Sequence, residues 1–170
     1  MKPYALSIVF CVLAASAAFA QTKTPIEGVW KIAEVIVPGG NPAAKGVTIT
    51  NTNPQPSLII FTRGYYSVVN VMGPQPRAAV APAKDPQNLT DSEKIARYEQ
   101  WEPFTANSGT YEIKGSTLIR RAIGAKNVEV MTRETPTILE FKFEGPNALW
   151  LIPPPDRVAT EPRTKLTRLE

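Results

Sequence analysis

Apolar and polar positions alternate in short runs along most of this chain, and Gly, Pro, Asn and Lys bound the runs. A two-residue period of that kind marks strands with one buried face. Thr137–Glu144 shows it most clearly: Leu139, Phe141 and Phe143 fall on one side, Ile138, Glu140, Lys142 and Glu144 on the other. The β-branched run Ile26–Val37 predicts a first strand, with Gly28 and Trp30 on a common face. A Gly-, Pro- and Asn-rich loop follows it, with a brief strand at Val47–Thr50. Ser57–Arg63 and Tyr65–Met72 form a hairpin about Arg63-Gly64. If its loop has two residues, Phe61 faces Tyr66 and Ile59 faces Val68, so that Ile59, Phe61, Tyr66, Val68 and Asn70 share one face. A second hairpin joins Gly109–Ile113 to Ser116–Ile123 around Lys114-Gly115. Ala148–Ile152 ends at Pro153-Pro154-Pro155, where the ladder loses its N–H donors, and Thr164–Leu169 is the last strand.

One segment changes period. Thr90-Asp91-Ser92-Glu93 has the form of a capping box, and Ile95, Tyr98 and Trp101 follow at three-residue spacing before Pro103. This predicts a helix whose apolar stripe packs on the outside or across one end of the sheet. The proline-bearing stretch Gly73–Asn88 ahead of it reads as an irregular loop (Pro74, Pro76, Pro82, Pro86), and Gly124–Pro136 carries no clear element. The expectation is an all-β fold: an eight-stranded antiparallel up-and-down barrel with one short α-helix between its third and fourth strands. Closure removes the sheet edges.

Residues 1–20 carry a basic Lys2, an apolar run and the small-residue pattern Ala18-Phe19-Ala20, which predict a secretory leader cleaved after Ala20. Residues 21–170 would then be one barrel domain, secreted or periplasmic and without a membrane span. Cys11, the only cysteine, falls in the leader, so the mature chain would have neither thiol nor disulfide. About 150 residues are enough to enclose a core without them. Removing Lys2 leaves 18 basic residues against 15 acidic, about +3, and they are scattered. A nucleic-acid partner normally shows a basic stripe, so none is expected.

These pieces resemble the bacterial lipocalin-like domain family: Gly28-x-Trp30, the Phe61–Ser67 hairpin, Ser92-Glu93 leading a helix into Gly109–Ile113, and Lys165–Leu169. The ordered set spans nearly the whole mature chain. The resemblance implies that Trp30 closes one barrel end and that Arg168, from the last strand, lies across it. Such stacking is worth about 0.5–2 kcal/mol. The chain lacks the T-D-Y motif of true lipocalins and carries its helix in mid-chain.

Histidine is absent from the whole sequence, so neither a Ser-His-Asp triad nor a His-based metal site can be built, and no D-x-D-x-D-G calcium spacing occurs. No cofactor is implied. Arg120 and Arg121 are adjacent, so on a regular strand one of them faces inward. Asn88-Leu89-Thr90 matches the glycosylation sequon, and Thr90 already serves the helix cap. The leading functional expectation is a module that binds a small hydrophobic or amphiphilic ligand, lined by Tyr66, Val68, Asn70, Tyr111, Arg121, Phe141 and Phe143 and lidded by Gly73–Asn88. The alternatives are a lipocalin-fold enzyme (an isomerase, cyclase or hydratase, with Tyr66, Tyr111, Glu112, Arg120 and Arg121 as candidates) and a structural or interaction protein with a filled core, meeting a partner through Trp101 and Trp150 or the proline loops. Trp150 sits in an apolar strand and is expected in the core.

Overall fold

The computed structural model describes residues 24–73 and 75–170. The expected leader, Cys11 and Pro74 lie outside them. The strands are β1 (Gly28–Val37), β2 (Ile49–Asn51), β3 (Leu58–Thr62), β4 (Tyr65–Val71), β5 (Phe104–Lys114), β6 (Thr117–Ala125), β7 (Thr137–Phe143), β8 (Ala148–Ile152) and β9 (Arg163–Arg168). Helix α1 (Asp91–Trp101) separates β4 from β5, and a five-residue helix α2 (Val128–Thr132) separates β6 from β7.

Each strand from β3 onward pairs antiparallel with the next, and β9 returns to β1. The short β2 and the longer β3 pair along the same edge of β1, β3 at Gly28–Lys31 and β2 at Val35–Val37. They share one position, so nine strands close as an eight-position up-and-down barrel. The expected class holds, and the helix enters where the pattern placed it.

Register then assigns the faces. Phe61 pairs with Tyr66 and Ile59 with Val68 across Arg63-Gly64, and Gly64 takes φ 77° at the turn. Leu118 pairs with Leu139, Phe141 with Leu151, and Leu149 with Leu166. These residues converge with Trp30, Ile32 and Tyr111 on one core. A bulge between Ile32 and Glu34 lets Val35 turn back to that inner face.

Three expectations change. β5 begins at Phe104, five residues earlier than expected, because the residues after Phe104 (TANS) are small or polar even where they face inward. The second hairpin turns at Gly115-Ser116, since Lys114 pairs with Thr117. Trp150 lies on the outer face, opposite Lys142 and Lys165. There it donates to the Glu144 carboxylate (3.1 Å) beneath Lys165 and Arg163. Its apolar neighbours Leu149 and Leu151 hold the inner positions, and alternation sends the indole out.

Candidate functional site at the loop-rich end of the barrel

The two ends of the barrel differ. At one, Trp30 is wholly buried; its indole N–H donates to the Ile26 carbonyl (2.8 Å) and Ile26 plugs the opening. The Arg168 guanidinium covers the indole at 4.1 Å and donates to the carbonyls of Glu27 and Pro25, both at 2.6 Å. Gly28 makes room for it: its φ is +141°, and a Cβ there would stand 2.6 Å from the Arg168 Nη1. Tyr111 joins this end, edge-on to Phe61 at 5.3 Å with its hydroxyl 3.4 Å from Thr24 Oγ1. Phe143 sits 6.3 Å from Trp30 and edge-on to Phe141. Gly28, Trp30 and Arg168 form one sealed cap.

At the other end the inner face becomes polar and partly open. Register aligns Asn70 with Thr105, Val68 with Asn107, and Arg120 with Thr137, all but Val68 half-buried. The rim carries the long segments. Ser57 is buried there; its hydroxyl donates to the Gln55 carbonyl and accepts from the Val71 N–H.

The loop 72–90 is strapped to α1 and to the rim. Arg77 donates to the Gln100 carbonyl, the Gln100 amide to the Ala78 carbonyl (3.3 Å), and Gln75 to the Pro54 carbonyl. The Met72 N–H reaches the Pro103 carbonyl at 2.9 Å. Between loop and helix lies a mostly apolar groove of about 360 Å³, walled by Met72, Val80, Ala96 and Pro103.

Helix α1 begins with the expected capping box: the Thr90 hydroxyl accepts from the Glu93 N–H and Glu93 from the Thr90 N–H. The Thr90 hydroxyl also donates to the Glu93 carboxylate at 2.7 Å, and this bond, with those from the Thr90 and Lys84 N–H groups, holds the Glu93 carboxyl below its ordinary range. Lys126 donates to the Trp101 and Glu102 carbonyls at the other terminus, where the helix dipole favours a cation. The apolar stripe, however, faces solvent: Ile95 is 58% exposed, Tyr98 66% and Trp101 57%. The loop takes the opposite face through Ala96, Glu99 and Gln100. A three-residue period identifies a face without saying which surface meets it.

Arg121 is expected among the lining residues. The structure corrects this. Arg120 pairs with Tyr111, whose side chain is in the core, whereas Arg121 pairs with the outward Thr110 and is exposed. Tyr66 and Val68 lie on the inner wall, with Asn70 nearer the mouth. Tyr111 and Phe143 belong to the sealed end. Two further inner positions, Thr105 and Asn107, lie ahead of the expected start of their strand, and Thr137 lies in an expected strand but was not among the expected lining residues.

Arg120 stands between the two regions. Its guanidinium carbon lies 5.0 Å from the Tyr66 ring centroid. The Nε atom is sealed from solvent with no hydrogen-bond partner. No described residue forms an ion pair with it, and register puts no Asp or Glu on the inner face of the eight barrel strands. Burial pushes Arg120 below the usual arginine range, and the facing Tyr66 pulls it partly back. Burial likewise raises the Tyr66 hydroxyl, opposed by the Arg120 charge.

An up-and-down barrel of eight strands is the lipocalin architecture. This chain has a lipocalin-like fold. A solved lipocalin-like protein from Bacteroides uniformis is similar in structure, with 11% identity and a TM-score of 0.45 over 85% of this chain and 99% of that one. No protein-family model and no curated protein matches the sequence. Among the described residues no helix is long and apolar enough to cross a membrane.

Proposed function

We propose that this lipocalin-like barrel is an exported protein that binds a small hydrophobic or amphiphilic molecule at its loop-rich end. The observation that carries the reading is the asymmetry of the interior. One end is plugged by Ile26, Trp30 and Arg168. The other is half-open, polar, and bordered by a groove of about 360 Å³ under a strapped loop. Small-molecule sites have this character: concave, mainly apolar, a few hundred Å³ or more, with a few fixed polar groups. Tyr66, Val68 and Phe141 supply the apolar wall, and Asn70, Thr105 and Asn107 the polar positions of the mouth.

Native mass spectrometry of the protein recovered from a periplasmic fraction tests both parts. The expected result is a chain that starts at Gln21 and carries a co-purifying small molecule, released by organic solvent. A chain that retains residues 1–20 overturns export. Failure to take up any member of a series of alkyl amphiphiles, in several preparations, overturns binding.

A further inference from the structure

Among the described residues, Arg120 on the inner face of the barrel has no counter-ion. Among those residues the inner face carries no carboxylate to balance Arg120, whose Nε is sealed from solvent although the residue is half-buried, and a charge desolvated without a partner is costly for a fold to keep. The nearest aromatic face, Tyr66 at 5.0 Å, stabilises the charge but accepts none of its N–H donors in a hydrogen bond. A buried donor with no acceptor asks for an explanation in each native structure where it occurs.

The surroundings of Arg120 supply a second, separate observation. β6 and β7 are paired only from Thr117–Arg120 against Thr137–Glu140, so β6 runs on to Ala125 without β7 beside it. At that seam, next to α2, a cleft of about 170 Å³ is lined by Arg120, Arg121, Arg133, Glu134 and Thr137, among others. Three guanidinium groups meet one carboxylate there. None of these four charged side chains forms an ion pair among the described residues.

We infer that Arg120 is the counter-ion for the anionic head group of the bound molecule, a carboxylate, so that the barrel selects anionic over neutral amphiphiles of equal chain length. This rests on the binding function proposed above and names its ligand class. The carboxylate accepts from the free Arg120 donors at the β6–β7 seam, Thr137 lies beside it, and the alkyl part follows the wall of Tyr66, Val68 and Phe141. Arg121 and Arg133 raise the local positive potential from the outer side. A planar fork of donors matches a carboxylate better than an ammonium group does.

Calorimetric titration of the mature chain with dodecanoate and with dodecanol tests the assignment. The acid is expected to bind at least about tenfold more tightly. Arg120→Met should weaken the acid roughly 10- to 100-fold, the range of a hydrogen-bonded charge pair, and leave the alcohol unchanged. Arg120→Lys should keep part of the preference, and Arg121→Met most of it. If Arg120→Met does not fold, Arg120→Lys and Arg121→Met carry the comparison. Equal binding of acid and alcohol by the wild type overturns the anion assignment and leaves the binding function standing. The same holds for a preference that survives loss of Arg120 or, where Arg120→Met does not fold, one that Arg121→Met removes. Binding of neither probe overturns both.

Discussion

The Arg168 guanidinium lies over the Trp30 indole at 4.1 Å, at a cross-strand pair that joins the last strand to the first. The same group donates to backbone carbonyls of Pro25 and Glu27. One side chain therefore stacks on the buried ring and ties down the segment that carries the Ile26 plug. Arg168→Met should cost about 2–4 kcal/mol, combining a cation–π contact with charge-assisted hydrogen bonds. Arg168→Lys should recover less than half of it. Urea denaturation followed by circular dichroism measures both, and a cost below about 0.5 kcal/mol for Arg168→Met would show that the cap is ornamental.

Gly28 is expected to be as sensitive as the arginine it admits. A Cβ there would approach the Glu170 carbonyl oxygen to 2.3 Å and the Arg168 Nη1 to 2.6 Å, at a φ that L residues rarely adopt. Gly28→Ala should destabilise by about 2–4 kcal/mol. In a double-mutant cycle with Arg168→Met the two costs should fall short of additivity, because each loses the same contact. Strict additivity would separate the glycine from the cap.

Alkaline pH should weaken the fold through two tyrosines. Burial raises the hydroxyls of Tyr66 and Tyr111 above their ordinary value. Arg120 opposes the shift at Tyr66; at Tyr111 the Thr24 hydrogen bond opposes it and Glu27 adds to it. The unfolded chain then loses these protons first. Stability is whole below about pH 10 and declines as pH rises from there through the raised folded values. Urea midpoints between pH 8 and pH 11.5 should fall, and Tyr66→Phe or Tyr111→Phe should each flatten the decline. A pH-independent midpoint in the wild type would contradict the burial of both hydroxyls.

Helix α1 should tolerate polar residues along its apolar stripe. Ile95 and Tyr98 are more than half exposed, and the helix is held by its capping box, by Lys126 and by the loop on its other face. Ile95→Gln and Tyr98→Gln should each change global stability by less than about 0.5 kcal/mol. Glu93→Ala should instead speed amide exchange in the first helical turn and leave the amides of β5 as slow as before. A large global loss from Ile95→Gln would mean that the stripe is covered.

Alternation along the chain was enough to place most of the strands and the helix cap, because these depend on neighbours a few residues apart. The hairpin register followed once Arg63-Gly64 proved to be a two-residue turn, and closure required the pairing of β9 with β1 from opposite ends of the domain. The inner row Leu139, Phe141, Phe143 was legible from alternation. The polar half of the interior was not: Thr105 and Asn107 look like loop residues, and Thr137 like an ordinary strand end, until long-range pairing sets them opposite Asn70, Val68 and Arg120. Tertiary structure alone also decided that Arg120 turns inward rather than Arg121, that Trp150 lies outside, and that α1 offers its apolar stripe to water. In each case local periodicity leaves two faces equivalent, and only the partner that arrives from elsewhere in the chain breaks the tie.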